Sequence, residues 1–160
     1  MKKLTLDIYI ISRCTHNYYA RELKNLHLTM GQFPFIMGIA EHDGISQEKL
    51  SSEMMISKST TAVVVQQLLN HGLITREVDE ADRRNFKLHA TAKALRLVPE
   101  IEAMIDRCHR IITEDLTEIE CSILAGLLEK VRKKSESSLA GKSSGGRKKG
   151  AAPRNGRTPS

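Results

Sequence analysis

The sequence predicts a mainly α-helical domain that carries one small β-hairpin, and three observations predict it. Apolar residues recur at helical spacing along most of the chain. Aromatic content is low, at 4% with no tryptophan, which suits helix-on-helix packing. Between Ile74 and His89 the pattern turns strand-like, broken in its middle by the charged run DEADRR.

Each element has a local cause. Residues 4–26 put Leu4, Ile8, Ile11, Thr15 and Tyr18 on one helical face and Ile10, Cys14 and Arg21 on another. An apolar arc that wide must be covered on more than one side. Thr29 and Gln32 have the spacing of a capping box for a second helix, running to about His42. Pro34, one turn in, should bend or delay it. Ser46 can cap a third helix with Glu48 in its first turn and Leu50 and Met54 as its buried stripe. Met55-Ile56-Ser57 breaks the count, and Ser57 is a second cap. From there Thr61, Val64, Val65 and Leu68 recur at helical spacing. Gly72 is the expected stop, because glycine takes the left-handed end conformation without steric cost.

Residues 74–78 and 85–89 are the strands, with the acidic and basic run between them as the turn. Thr91 then opens a long helix through Leu95, Val98, Ile101, Ile105, Cys108 and Ile112, in which Pro99 predicts a kink. Leu116-Thr117-x-x-Glu120 is another capping box, opening a last helix with Ile123, Leu124, Leu127, Leu128 and Val131, an apolar face expected to serve packing or the subunit interface.

Two short helices, a turn and a hairpin in this order are the layout of a winged helix-turn-helix with a two-stranded wing. That module sets one helix in the DNA major groove and a loop against the backbone. The motifs also resemble those of the multiple-antibiotic-resistance regulator (MarR) family. The resemblance runs through Leu28-Thr29-x-x-Gln32-Phe33, Ile45-Ser46-Gln47-x-x-Leu50 and Ser57-Lys58-Ser59-Thr60-Thr61. It continues through Leu68-x-x-x-Gly72-Leu73-Ile74-x-Arg76 and Asp79-x-x-Asp82-Arg83-Arg84, with Thr91 at the right interval beyond. It implies a homodimeric regulator of transcription, most often a repressor released by a small aromatic or phenolic ligand.

The expected organisation is a domain over residues 1–134. Residues 29–91 form its DNA-binding lobe, and 1–28 and 92–134 are N- and C-terminal dimerisation helices. The helices at the chain ends have more apolar surface than one winged-helix body can bury, so a second copy is expected to interlock with them; a monomeric bundle is the alternative. A twofold dimer would set two recognition helices about 34 Å apart on an inverted repeat. Residues 135–160, rich in Gly, Ser, Lys and Arg, cannot repay the entropy of ordering and are expected to be a disordered tail.

The formal charge of +6 is unevenly placed. The tail holds six Lys/Arg against one Glu, leaving 19 basic and 18 acidic residues for the body. The tail is either a sequence-blind DNA clamp or a solvated end. Affinity of the body for DNA must therefore come from local clustering. Ser57, Lys58, Ser59 and Thr60 open the recognition helix, where free N–H groups favour phosphate. Ala62, Val63 and Gln66 also face outward. Valine cannot bond phosphate but can touch a thymine methyl, and Gln66 can pair with adenine. Weight therefore shifts to Arg76, Arg83, Arg84 and Lys87. The resemblance implies that Arg84 meets the minor groove or its phosphates and that Asp82 holds the wing in place.

Arg13, His16, Tyr18, Phe33, Phe35 and Met37 are candidates to line an effector cleft, where an arginine among aromatics suits a flat carboxylate; ordinary core packing is the competing reading. Cys14 sits where a peroxide-sensing branch of the family keeps its reactive thiol. That branch activates it with tyrosines where this chain has Phe33 and Phe35, so Cys14 is expected to be buried and inert. Three scattered cysteines imply no disulfide framework. Cys14-x-His16 and Cys108-His109 do not face together on a helix, so no metal is expected. No glycine-rich phosphate loop, nucleophile elbow or converging acid pair is visible, so neither an enzyme nor a cofactor is expected. No signal peptide or membrane span is visible either, and the reducing cytoplasm is the expected location. Two further readings stay open: a winged-helix protein-interaction module without specific DNA binding, and a cysteine-based redox-sensing regulator.

Overall fold

The computed structural model describes residues 3–79 and 85–139. Its elements run α1 (Lys3–Asn25), α2 (Phe33–Glu41), β1 (Ile45–Ser46), α3 (Gln47–Glu53), α4 (Lys58–Asn70), β2 (Ile74–Val78), β3 (Phe86–Ala90), α5 (Ala92–Thr113) and α6 (Glu118–Leu139). Residues up to Ile112 and those from Thr113 belong to two separate units.

In the first unit the core gathers one stripe from each helix. Leu23 comes from α1, Phe35, Ile36 and Ile39 from α2, and Leu50 from α3. Val65 and Leu68 come from α4, Leu88 from β3, and Ile101 and Met104 from α5, all at most 1% exposed. Gly38 lets α2 approach α3, since a Cβ there would meet Met54 at 2.8 Å and Leu50 at 3.2 Å. The three strands form an antiparallel sheet in the order β1-β3-β2, with Ile45 opposite Leu88 and Val78 opposite Phe86. The predicted two-stranded wing thus gains a third, two-residue strand, which ties the hairpin to the start of α3.

The predicted caps hold α3 and α4. Ser46 Oγ accepts the Lys49 N–H at 3.1 Å, and Ser57 Oγ accepts the Thr60 N–H at 3.2 Å. Each such cap is worth about 1 kcal/mol. Gly72 ends α4 at φ +63°, a conformation that costs other residues dearly. Pro34 stands in the first turn of α2 and so delays the helix to Phe33. Of the capping box predicted there, one half forms: Thr29 N–H donates to Gln32 Oε1 at 3.1 Å. Pro99 lies inside α5, which continues past it as one helix.

Two expectations, one about α1 and one about α2, need correction. Cys14 is exposed and not buried, because the half of α1 that carries it is exposed too: Leu4, Tyr9 and Ile11 are 62%, 59% and 56% exposed. Only Leu23 of α1 is buried. Phe35, a candidate for the effector cleft, is instead fully enclosed in the core, since helical spacing puts it on the same side of α2 as Ile36 and Ile39.

The second unit is described by α6. Its capping box forms completely: Thr117 N–H and hydroxyl both donate to Glu120 Oε2 at 2.8 Å, and Thr117 Oγ accepts the Glu120 N–H at 3.3 Å. Those two donors hold the Glu120 carboxyl below its ordinary range, the backbone bond contributing most. The helix extends to Leu139, so residues 135–139, expected in the tail, are helical. The rest of the predicted tail lies outside the described residues.

Candidate nucleic-acid interface

The N-terminal turn of α4 carries three hydroxyls tied to one another. Ser57 Oγ lies 3.0 Å from Ser59 Oγ and 2.8 Å from Thr60 Oγ1, and all three side chains are exposed. Such a cluster is pre-arranged: Ser57 Oγ, which also accepts the Thr60 N–H, is saturated, while Ser59 Oγ and Thr60 Oγ1 retain capacity for an incoming acceptor or donor. Lys58, Ala62, Val63 and Gln66 are exposed as helical spacing predicts, Val63 at 58%. Thr61 points the other way and is fully buried, as its packing role requires; its Oγ1 finds no partner there. Gln66 Nε2 donates to Asn70 Oδ1 at 2.9 Å, which fixes its amide along the helix.

The hairpin supplies the facing wall. Strand alternation puts Ile74, Arg76 and Val78 on the same face as Phe86, Leu88 and Ala90. The inner end of this face buries Ile74 and Leu88. Its outer end carries Arg76, whose guanidinium lies 4.4 Å from the centre of the Phe86 ring. Between the hairpin and α4 runs a groove of about 390 Å³. Gln47, Glu48, Lys58, Ala62, Gln66, Arg76, Asn85 and Phe86 line it, with Val65 at its floor. Sequence reasoning missed Phe86, although its period-2 spacing from Leu88 was a usable signal.

Lys87 falls on the opposite face of the hairpin, where it faces Glu77 across the ladder and lies 3.4 Å from Asp79 Oδ1. On that face His89 Nδ1 meets Asp43 Oδ1 at 2.9 Å, joining β3 to the turn before β1. Asp82, Arg83 and Arg84 lie outside the described residues.

The effector candidates are spread along α1 and α2. Arg13 and His16 are exposed on α1, and Tyr18 stacks with Arg21 at 5.7 Å. Phe33 packs on Tyr19, with ring centres 5.7 Å apart, while Met37 lines a separate groove with Leu95, Val98 and Pro99. Among the described residues no cluster of three or more His, Cys, Asp or Glu is placed to hold a metal, and no helix is long and apolar enough to cross a membrane.

Residues 28–86 match the model of the MarR family. The chain is 29% identical over 136 residues to the uncharacterised HTH-type transcriptional regulator YybA of Bacillus subtilis, covering 85% of this chain and 91% of that one. It is 25% identical to the HTH-type transcriptional regulator MgrA of Staphylococcus aureus, covering 81% and 88%. Among solved structures it resembles a MarR family transcriptional regulator of Listeria monocytogenes complexed with a 26mer DNA. That likeness has a TM-score of 0.83 at 30% identity, covering 92% of this chain and 99% of the other. A MarR transcriptional regulator from Methanosarcina mazei Go1 superimposes with a TM-score of 0.79 at 27% identity, covering 87% and 100%.

Proposed function

The chain belongs to the MarR family of DNA-binding transcriptional regulators, and from that premise we propose that it is a sequence-specific repressor binding an inverted-repeat operator as a homodimer. The observation that supports sequence reading is the groove where the outward face of α4 meets Arg76 of the hairpin. Its walls combine a thymine-compatible apolar surface at Ala62, a fixed amide at Gln66 and two cations at Lys58 and Arg76. Phosphate contacts from the Ser57–Thr60 turn would set register, and Ala62, Val63 and Gln66 would read base edges. Arg83 and Arg84, with Asp82 as their positioning residue, are assigned to the minor groove and backbone on the family pattern.

Dimerisation is supported by uncovered apolar surface. In the single chain Leu4, Ile8, Tyr9, Ile10 and Ile11 of α1 are exposed, and so are Ile119, Ile123, Leu124, Leu127, Leu128 and Val131 of α6. Helices with that much exposed apolar area are expected to be covered by another chain. Release by a small aromatic carboxylate or phenol is the finer reading, with Arg13, His16 and Tyr18 as the ligand-facing residues on α1. We place the protein in the cytoplasm, where its three free thiols would stay reduced.

The test is a titration of the full chain against duplexes selected from a random-sequence library, and against scrambled duplexes, at two salt concentrations. Specific binding should exceed scrambled binding by at least about a thousandfold. Equal binding to both would overturn sequence reading, and absence of binding would favour a protein-interaction role. Repeating the titration with benzoate or phenol present tests release.

A further inference from the structure

We propose that Glu48 is a specificity-determining residue of the DNA interface, a carboxylate that penalises docking on phosphate alone. The inference deepens the DNA-reading proposal above and rests on it. Glu48 Oε1 pairs with Lys58 Nζ at 2.5 Å, joining the first turn of α3 to the first residue of α4. Both side chains are mostly exposed, at 61% and 76%. A pair so exposed does little for stability, so its position is better explained by what it faces. Both residues line the groove between α4 and the hairpin, and among the described residues Glu48 is the one carboxylate lining it.

A phosphate approaching Lys58 must therefore share its ammonium with Glu48 or displace it, and either way it brings a second anion beside the carboxylate. In either case the carboxylate sits in a groove facing polyanionic DNA. The major groove offers it hydrogen-bond donors at two places only, the cytosine N4 and adenine N6 amines. Every base pair carries one of these amines, but its place across the groove depends on which strand holds the cytosine or adenine. The amine therefore offsets the repulsion only where the sequence sets it within reach of Glu48. On any other sequence the repulsion stays. Lys58 thus contributes to affinity mainly where the bases also fit, and a recognition helix with a single cation at its start gains discrimination without a further base-reading side chain.

The experiment compares wild-type protein with Glu48→Gln, using the best duplex selected from a random library and a scrambled duplex of equal composition. Glu53→Gln is the control. Glu53 is also on α3 and ion-paired, with Lys49 at 3.7 Å, and does not line the groove. Thermal melting checks that all three proteins fold alike. Glu48→Gln should tighten binding to scrambled DNA by about three- to tenfold while selected DNA changes by about twofold or less. Glu53→Gln should leave the ratio unchanged. Equal tightening on both duplexes, no tightening, or the same effect from Glu53→Gln would overturn the role of Glu48. Failure of the wild type to tell selected from scrambled DNA would overturn the DNA-reading proposal itself, and with it this one.

Discussion

The Arg76 guanidinium lies over the Phe86 ring, 4.4 Å from its centre, on the outer end of the hairpin face that buries Ile74 and Leu88 inside. A ring face attracts a cation electrostatically and also restricts its rotamers. The pair therefore holds a positive charge at the wall of the groove before DNA arrives.

Loss of that pre-arrangement should be measurable apart from loss of the charge. Arg76→Ala should weaken binding to selected DNA by about 1–2 kcal/mol, within the range of single contacts in such interfaces. Phe86→Leu keeps an apolar side chain but removes the ring, and should cost about 0.5–1 kcal/mol, the worth of an exposed cation–ring contact. Fluorescence anisotropy titrations check both. Full affinity in Phe86→Leu would mean that the ring does not position Arg76.

Thr91 ties the far end of the hairpin to the end of α4. Its hydroxyl lies 2.9 Å from the Gly72 carbonyl and 3.1 Å from the Leu73 carbonyl, and accepts the Ala94 N–H at 3.3 Å as the cap of α5. Thr91→Val keeps the shape and removes all three. Stability measured by urea denaturation should fall by about 1–2 kcal/mol. An unchanged midpoint would show that the cap and the strap are dispensable.

Thr91 was legible because its interval from the Asp82-Arg83-Arg84 motif marks it, and Ser46, Ser57 and Gly72 because caps and stops are local chemistry. What the sequence hid was non-local. β1 is two residues long, too short for any periodicity, and exists only because Ile45 and Ser46 pair with Leu88 and Lys87 of β3. Glu48 and Lys58 belong to different helices, and their pairing depends on the angle set by the turn at Met55, which takes φ +53°. Cys14 was read as buried because its helix has an apolar pattern, yet that pattern is uncovered in the single chain. Phe35 and Phe33 look alike in sequence, but one phenylalanine is enclosed by the core and the other packs on Tyr19.

Tyr19 links α1 to α5 and should make the fold sensitive to alkali. Burial, followed by its hydrogen bond to Cys108, pushes its hydroxyl up to about 12 from 10.0. The folded state thus keeps a proton that the unfolded chain releases near pH 10. Stability from this source is complete below pH 10 and is lost as pH rises from about 10 to about 12. Tyr19→Phe removes the titration, so the difference in stability between wild type and variant should change with pH across that window. Parallel curves for the two proteins from pH 9 to 12 would show that Tyr19 does not carry the effect.

The apolar surface of α6 gives the sharpest test of the dimer. Leu127 is 54% exposed in the single chain, on a stripe with Ile119 at 73% and Ile123 at 57%. A substitution there should cost the isolated chain little, whereas an aspartate buried between two copies would cost several kcal/mol. Leu127→Asp should therefore keep its helical circular dichroism but dissociate, with the dimer constant raised by at least about a hundredfold, equivalent to nearly 3 kcal/mol. Binding to an inverted repeat should fall with it, since two half-sites are then engaged by separate molecules and the advantage of linkage is lost. Sedimentation equilibrium over a range of concentrations reads the first effect and a titration on the selected duplex the second. A variant that stays dimeric at nanomolar concentration would place the subunit interface away from Leu127. A variant that becomes monomeric yet binds the repeat as tightly as wild type would separate dimerisation from operator recognition.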